Sequence, residues 1–417
     1  GRLIPQAAAQ GEHWLKVLSQ VREHLSDDCS RVAVVGTVKA GKSTVINALV
    51  GRDLLKRGAG ILTAMITRVQ PGPEPGALLK FKSWEKINIE VNRALGFIPS
   101  PRIKGRTAPL DLNLFEDRDL LSRVLAEAQE SHLFSQDSLD SNYLLLKSYL
   151  EGFDLVRDLM PPAAELSLAG PELERHQDLV TQEATAVYLR DVLLTIPFPW
   201  EVDCAELVDC QGSDSPIPQH LAEVLSYLVQ SDLVLYVISS RVGLRRADLQ
   251  FLSDLKRMGL LPHILALLNL DLGEHTSFED LSRLRDRVAA ELSPWQTHPR
   301  LYAFSGLKLL LDRRRARGER LDVRDEALLQ VWALDGESAA FSGQEASRFD
   351  RDLRAALQDL QGRRLAGSSL SQVQIVARGL KEQWRLTHEL LSKDLTAIRE
   401  MEERLEYRKQ PLKASLD

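Results

Sequence analysis

VAVVGTVKAGKSTVINALVG, residues 32–51, passes from an apolar run into a glycine-framed turn and then into a segment with helical apolar spacing. The run RVAVV (31–35) is typical of a strand buried on both faces of a parallel sheet, and TVINALVG predicts the helix that follows it. The turn between them, from Gly36 to Ser43, matches GxxxxGK[ST] in the strand, loop and helix context that this pattern requires. We therefore expect a phosphate-binding loop at the start of an α/β domain.

A loop of this kind binds a triphosphate mainly through its backbone. Glycines let the N–H groups turn inward around an anion, and the start of the next helix adds partial positive charge. Lys42 is expected to reach the β and γ phosphates, and the hydroxyl of Ser43 is expected to bind Mg²⁺. The predicted nucleotide-binding residues of this stretch are Gly36, Thr37, Val38, Lys39, Ala40, Gly41, Lys42, Ser43 and Thr44.

Two further segments carry residues that a Mg²⁺-dependent nucleotide switch needs. Asp209 and Gly212 form DxxG (DCQG) after the apolar strand CAELV; the carboxylate is expected to hold Mg²⁺ and the glycine N–H to sense the γ-phosphate. A mobile threonine should lie earlier in the chain, because such a switch is ordered by Mg²⁺ and released on hydrolysis. The stretch GAGILT, which contains Gly60 and ends in Thr63, is the candidate, with Thr67 as its rival.

The sequence LNLD (268–271) closes the apolar strand ILALL and is the candidate base-binding segment. A carboxylate at Asp271 can accept hydrogen bonds from N1–H and the exocyclic amine of guanine, which adenine does not offer in that arrangement. Ser305 and Gly306 follow the next strand and are placed for a second base-contacting loop. We therefore predict GTP or GDP as the ligand, bound together with Mg²⁺.

The remaining pattern predicts a doubly wound α/β domain, with a mainly parallel sheet and helices on both faces. Short apolar runs alternate with helical stretches such as 219–230 and 247–259. The candidate strands are ALLKFKS (77–83), DVLLTIPF (191–198), CAELVD (204–209), LVLYVIS (233–239), ILALLNL (264–270) and LYAF (301–304).

Three parts of the chain exceed such a minimal domain. Residues 85–190 are polar-amphipathic and helix-prone, which predicts a helical insertion. Residues 12–26 have amphipathic helical spacing, and apolar residues between Leu380 and Leu405 recur at steps of three and four. This last seam is either a helix packed on its own domain or a neck that continues into a stalk. The expected divisions are 1–28 as an N-terminal neck helix, 29–345 as the nucleotide-binding domain and 346–417 as the C-terminal helical part.

Composition narrows the partners and the compartment. The 417 residues carry a net charge of −6, which argues against nucleic acid as a partner. Cys29, Cys204 and Cys210 show no metal-binding spacing and predict reduced thiols in a cytoplasmic protein. No apolar window is long enough to span a bilayer, so membrane contact should be peripheral. The basic run RRRARGER (313–320) is either a solvated surface or a contact for anionic lipid.

Taken together, these motifs resemble the GTPase domain of the dynamin superfamily, and in particular its bacterial dynamin-like members. The resemblance is carried by VVGTVKAGKSTVINALVGRDLLKRGAGILT (34–63), DCQG (209–212), LNLD (268–271) and FSG…FDRDLRAALQDL (341–360). It covers about residues 12–365, and the insertion is not explained by animal dynamins. The resemblance implies a large GTPase that forms homodimers and higher oligomers through its nucleotide face. It also implies that hydrolysis is coupled to a helical neck at a membrane.

Two departures from the family pattern affect the expected chemistry. Many animal members have Gln-Ser where this chain has Val38-Lys39, and that pair positions the attacking water and a monovalent cation. Val38 cannot hold a water by hydrogen bonding, whereas the Lys39 ammonium could take the place of the cation or could be a solvated loop lysine. In the base motif, Asn269 occupies the place of the usual lysine, which predicts weaker nucleotide affinity with guanine preference retained.

The leading hypothesis is therefore a GTP-hydrolysing mechanoenzyme that acts at a membrane. Its expected catalytic residues are Lys39, Lys42, Thr63 and Gly212, and its expected Mg²⁺ ligands are Ser43, Thr63 and Asp209. The alternative is a slow regulatory GTP-binding switch that acts through partner proteins without membrane remodelling.

Overall fold

The computed structural model describes the sheet domain and most of its helices. The described residues are 29–55, 66–98, 100, 102–103, 108–130, 137–159, 165–198, 205–210, 224–225, 227–275, 277–296, 299–365, 377–378, 381 and 385. The predicted N-terminal neck helix at 12–26 lies outside them, as does nearly all of the seam between Leu380 and Leu405.

A nine-stranded sheet in the order β4-β3-β5-β2-β6-β1-β7-β8-β9 forms the centre of the domain. Its strands are β1 Ser30–Val35, β2 Ile66–Pro71, β3 Gly76–Phe81, β4 Glu165–Ala169, β5 Leu189–Ile196, β6 Ala205–Asp209, β7 Leu233–Ser239, β8 Ile264–Asn269 and β9 Leu301–Phe304. Strands β6, β1, β7, β8 and β9 are parallel neighbours. The pairs β2–β6, β3–β4 and β3–β5 are antiparallel, so one half of the sheet is mixed.

Helices cover both faces of this sheet. They are α1 Lys42–Val50, α2 Trp84–Leu95, α3 Phe115–Glu130, α4 Asp137–Arg157, α5 Arg175–Thr181, α6 Glu183–Ala186, α7 Arg246–Met258, α8 Phe278–Leu292, α9 Gly306–Ala316, α10 Val323–Leu334 and α11 Gly336–Leu365. None of the described helices is long and apolar enough to cross a bilayer.

Strand β1 shows why a wholly apolar run forms the middle of the sheet. Val32 and Val34 face the core that α1 and α11 cover, whereas Ala33 and Val35 face the core on the side of α7 and α8. All four side chains are fully buried, as strands covered on both faces require. The predicted fold class, an α/β P-loop domain with helices on both faces, is confirmed.

The segment 85–190 contains four complete helices and most of α2, as its composition predicts, but it also contains strand β4. Among the described strands, β4 pairs only with β3, and it forms one edge of the sheet. The segment is therefore not purely helical, because part of it extends the sheet. Its sequence ELSLA alternates polar and apolar residues as a strand does, but five residues are a short signal inside a helix-prone segment.

The expected boundary at residue 346 falls inside the continuous helix α11. Phe349 packs edge-on against Tyr302 of β9 with ring centroids 5.1 Å apart, and Leu353 and Leu357 are also buried. These side chains lie on the C-terminal side of the boundary, so the described chain there packs on its own domain. The physical reason is the apolar stripe of α11, which needs cover on the sheet.

The prediction that all three cysteines are reduced thiols is wrong. Cys29 is disulfide-bonded, whereas Cys210 is a buried free thiol. Burial raises the pKa of the Cys210 thiol, so this group is held in its neutral form. Spacing along the chain could not reveal the bond, because strand pairing decides which cysteines meet. The argument from three reduced thiols to a cytoplasmic location therefore loses its basis.

Candidate nucleotide site

The loop between β1 and α1 requires glycine at two of its positions, Gly36 and Gly41. Gly36 has φ 152° and Gly41 has φ 91°, both in the region that side chains avoid. A Cβ on Gly36 would lie 2.2 Å from the Val237 carbonyl oxygen of β7, and one on Gly41 would lie 2.1 Å from Asn269 Nδ2. The two glycines thus let the loop turn while it stays pressed against the neighbouring strands.

Lys42, the first residue of α1, is folded back over this loop. Its Nζ donates hydrogen bonds to the carbonyl oxygens of Gly36 at 3.0 Å and Thr37 at 3.1 Å, and the side chain is only 9% exposed. An ammonium held at the mouth of the loop, beside the open N–H groups of a helix start, makes a strongly anion-attracting position. The predicted phosphate role of Lys42 therefore has the geometry that it needs.

Ser43 and Asp209 meet beside Lys42, as the sequence predicts for Mg²⁺ ligands. Ser43 Oγ donates to Asp209 Oδ2 at 2.7 Å, while Asp209 Oδ1 is buried without a hydrogen-bond partner among the described residues. Burial raises the pKa of Asp209, and the positive charge of Lys42 and the Ser43 hydrogen bond oppose that rise. A carboxylate oxygen and a hydroxyl oxygen at this edge suit Mg²⁺, which prefers oxygen ligands.

The tip of the loop carries the two residues that depart from the animal pattern. Lys39 is exposed and has φ 64°, a left-handed conformation that costs a non-glycine residue about 1 kcal/mol. Val38 beside it is half-buried, Ala40 and Thr37 are buried, and Thr44 is half-buried on α1. Strained backbone at a binding loop supports a functional reason for Lys39 at this position. Its role in place of a monovalent cation stays a prediction.

Asn269 joins the phosphate loop to the candidate base loop. Its Nδ2 donates to the Ala40 carbonyl at 3.0 Å, and its Oδ1 accepts from the Gly306 N–H at 2.9 Å. Both polar atoms of the amide are therefore used to hold protein backbone. The sequence pattern placed Asn269 where a lysine would pack over a purine; the structure adds a bridging role that spacing did not indicate.

Asp271 lies two residues further on and is paired with Arg241 from the turn after β7. Arg241 donates from Nε at 2.7 Å and from a terminal nitrogen, both to Asp271 Oδ2, and Gly273 N–H donates to Oδ1 at 3.1 Å. Hydrogen bonding to Asp271 raises the pKa of Arg241. The carboxylate is about one-third exposed. Arg241 is thus a neighbour of the predicted guanine reader that the sequence did not point to.

Ser305 and Gly306 form the start of α9 next to the Asn269 bridge. Ser305 Oγ accepts from the Lys308 N–H at 3.3 Å as an N-cap, and the Ser305 N–H donates to Ser342 Oγ at 2.9 Å. Both residues are buried. They therefore lie directly after β9, as expected, and their contact with a base stays a prediction.

The remaining predicted residues are not all described. Gly60, Thr63 and Gly212 lie outside the described residues. Thr67, the rival of Thr63, is buried within β2 opposite Asp209. A residue fixed in a strand lacks the mobility expected of a switch threonine, so the structure disfavours Thr67. No cluster of three or more metal-ligating side chains occurs among the described residues.

Two arginines of the basic run 313–320 bind the C-terminal end of the phosphate-loop helix α1. Arg313 donates to the carbonyls of Ala48 and Leu49 at 2.7 and 2.8 Å, and Arg317 donates to those of Val50 and Gly51 at 3.3 and 3.1 Å. These bonds satisfy the carbonyls at the C-terminal end of α1, where cations are favourable. Arg313 and Arg317 therefore have a role inside the domain that neither alternative anticipated, and the two alternatives stay predictions for the other exposed residues of the run.

Comparison with known proteins places this architecture in a family. The model of the dynamin family matches residues 32–265, from β1 through the first residues of β8. The chain belongs to the dynamin family. The resemblance inferred from the phosphate loop and the later motifs is thereby confirmed.

Relatives of this dynamin-family chain include bacterial and animal proteins. Dynamin-like protein A of Bacillus subtilis is 24% identical over 294 residues, which cover 67% of this chain and 22% of that protein. The isoniazid-induced protein IniC of Mycobacterium tuberculosis is 38% identical over 66 residues, 16% of this chain and 13% of its own length. This chain thus matches less than a quarter of either relative.

A solved structure also aligns along nearly all of the chain. It is a chain of an oligomerised bacterial dynamin pair, described as a mechanism for long-range sensing and tethering of membranes. The alignment covers 98% of this chain and 50% of that one, with a TM-score of 0.45 and 14% sequence identity.

Proposed function

We propose that this chain binds GTP together with Mg²⁺ and hydrolyses it to GDP and phosphate as a dynamin-like mechanoenzyme. The observation that carries the proposal is the arrangement of Lys42, Ser43 and Asp209 at the mouth of the loop. A buried ammonium lies next to a hydroxyl and a carboxylate whose Oδ1 lacks a described partner. Membership of the dynamin family supports the same activity.

The loop residues would do most of the work on the phosphates. Lys42 would exchange its bonds to the Gly36 and Thr37 carbonyls for the β and γ phosphate oxygens, and loop N–H groups would face the same anion. Ser43 and Asp209 would hold Mg²⁺, which neutralises charge between the β and γ phosphates when it is bound. Catalysis of this type depends on positioning and electrostatics and needs no general base.

The base, the tip lysine and the switch residues complete the proposal. Asp271 would accept from the guanine N1–H and amine, with Arg241 close beside it. Lys39 would bring a positive charge to the developing charge on the phosphates, and Thr63 and Gly212 would order around the γ-phosphate. A requirement for K⁺, or an unchanged rate in Lys39→Ala, would argue against the role of Lys39.

Assembly and location form the wider part of the proposal. We propose a homodimer through the nucleotide face that is able to form higher oligomers, contacts membrane lipid peripherally and does not act on nucleic acid. The family supports this scheme. Specific activity that rises with protein concentration, and cosedimentation with liposomes, would support it. Slow turnover independent of concentration would favour the regulatory switch instead.

Binding of GTP, GDP and ATP by titration calorimetry with and without Mg²⁺ tests the core of the proposal. Lys42→Ala should weaken GTP binding by at least about a hundredfold, because it removes the charged donor of a preorganised anion site. Lys80→Ala, on β3 and paired with Glu165 of the edge strand β4, is the matched control and should bind normally. Equal affinity for ATP and GTP would contradict the base assignment.

Asp271→Asn offers a second test of the base assignment. An amide in place of the carboxylate cannot accept two hydrogen bonds from guanine but suits the carbonyl edge of xanthine. We expect GTP affinity to fall about a hundredfold and XTP to become the better ligand, since two hydrogen bonds to a charged group are lost. Unchanged preference for GTP would show that another residue reads the base.

A further inference from the structure

Residues 53–55, which follow the phosphate-loop helix, are held by one buried side chain of that helix. Asn47 of α1 is fully buried, and its Nδ2 donates to Asp53 Oδ1 at 2.8 Å and to the Leu55 carbonyl at 2.7 Å. Its Oδ1 accepts from the N–H groups of Leu54 at 3.1 Å and Leu55 at 2.8 Å. These four bonds fix the direction in which the chain leaves α1.

Two of these three residues, Asp53 and Leu54, are also held by α5 of the segment 85–190. Gln177 Nε2 donates to the carbonyls of Asp53 and Leu54, both at 3.2 Å. His176, only 4% exposed, approaches the Leu54 carbonyl with Nε2 at 3.3 Å and the Leu173 carbonyl with Nδ1. Carbonyls and N–H groups of residues 53–55 are thus shared between two elements that are distant in sequence.

The position of this contact gives it a functional meaning. Asn47 lies one helical turn after Ser43 on α1, so the helix that begins at the phosphate site also fixes residues 53–55. Residue 55 in turn precedes the stretch that ends in the predicted Mg²⁺ ligand Thr63. Directional hydrogen bonds to backbone set the path of a chain more strictly than apolar packing does.

We propose that α5 is a positioning element for the GTP reaction, and that Gln177 and His176 act by fixing the carbonyls of Asp53 and Leu54, which precede Thr63 in the sequence. This inference rests on the proposed GTPase function. It gives the segment 85–190 a role, because a displacement of α5 would shift residues 53–55 and through them alter the nucleotide site. Neither side chain touches the nucleotide.

Gln177→Ala is the first test, with Gln182→Ala as control, because Gln182 is an exposed glutamine between α5 and α6 of the same segment. Gln177→Ala should speed hydrogen exchange in the peptide covering 53–65 of the nucleotide-free protein. It should lower kcat for GTP about threefold to tenfold, because two neutral hydrogen bonds to the carbonyls of Asp53 and Leu54 are lost. Affinity for GDP and the melting temperature should stay close to wild type, because the phosphate loop is untouched.

Two substitutions of His176 separate positioning from packing. His176→Gln places an amide nitrogen near the Nε2 position and keeps the contact with Leu54, whereas His176→Asn reaches only the Nδ1 position and loses it. The asparagine variant should lower kcat at unchanged GDP affinity, and the glutamine variant should retain wild-type kcat.

Each outcome has a defined meaning. Equal kcat for Gln177→Ala, His176→Asn and wild type, with unchanged exchange at 53–65, would overturn the inference. Equal losses of kcat in the two His176 variants would show that His176 acts through packing and not through a hydrogen bond. That result would overturn the inference as well. Absence of GTP turnover in the wild-type protein would overturn the proposed function itself, which keeps the two failures distinct.

Discussion

The proposed phosphate-binding end and the proposed base-binding end of the site, called here the phosphate end and the base end, are built in different ways. The phosphate end consists of eight consecutive residues, Gly36 to Ser43, and of Asp209 from the adjacent strand β6. The base end draws Arg241, Asp271 and the start of α9 from the loops after β7, β8 and β9. One end is therefore set by local backbone conformation, and the other by contacts between side chains of separate loops.

This difference explains why the two ends differ in how far they follow the family pattern. A loop that binds phosphate through backbone N–H groups must keep its glycines, whatever the other side chains are. A base pocket made from side chains can change residue by residue, as Asn269 in the place of a lysine illustrates. Asn269 also links the two ends, since it bonds both Ala40 and Gly306.

Gly41→Ala should give the largest effect if backbone conformation sets the phosphate end. The new Cβ would lie 2.1 Å from Asn269 Nδ2 in a backbone with φ 91°, so both the loop and the bridge must move. We expect GTP and GDP affinity to fall at least about a hundredfold, as for loss of a preorganised anion site. Titration calorimetry measures this loss.

Gly343→Ala is the matched control for this substitution. A Cβ there meets nothing within 4 Å, and the residue is helical and exposed. The change should raise the free energy of unfolding by about 0.5–1 kcal/mol and leave nucleotide affinity unchanged. Normal binding by Gly41→Ala would break the distinction between the two ends.

The same distinction marks what the sequence could predict. Central strands such as LVLYVIS and ILALLN, and the loop from Gly36 to Ser43, follow from local patterns and lie where expected. Contacts between distant elements could not be predicted from spacing. Examples are the edge strand β4, the disulfide at Cys29, the bonds of Arg313 to the end of α1 and the pairing of Arg241 with Asp271.

Asn269→Ala tests the link between the ends and should have an intermediate effect. It removes two hydrogen bonds and leaves the Ala40 carbonyl and the Gly306 N–H without that partner. GTP and GDP should both bind about tenfold more weakly, as expected for one to two neutral hydrogen bonds. Fluorescence titration with a guanine nucleotide analogue measures both affinities.

Asn92→Ala is the control, because Asn92 also bridges backbone, at Asn88 and Leu110, but within the segment 85–190. It should lower stability by a similar amount without changing affinity. An equal loss of affinity in the two variants would mean that Asn269 acts through general stability only. Loss of GTP affinity with GDP affinity retained would place the effect at the γ-phosphate and not at the link.

In protein free of nucleotide and Mg²⁺, Asp209→Asn should change the stability of the fold, and this is the smallest of the expected effects. Because burial raises the pKa of Asp209, the folded state binds a proton more tightly than the unfolded chain does. The free energy of unfolding of the wild type therefore falls as pH rises from about 4 toward the raised pKa, since the carboxyl must ionise in a buried site.

The Asp209→Asn variant lacks this ionisation, so its stability relative to wild type should grow over that pH window and then level off. The gain should be on the order of 1 kcal/mol, a common size for a single substitution. Urea unfolding between pH 4 and pH 8 measures it, with Asp154→Asn, at 86% side-chain exposure, as the control. A difference in the free energy of unfolding between variant and wild type that stays constant with pH would show that burial does not raise the pKa of Asp209. In that case Asp209, the proposed Mg²⁺ ligand, would lie at the phosphate end without lowering the stability of the folded protein.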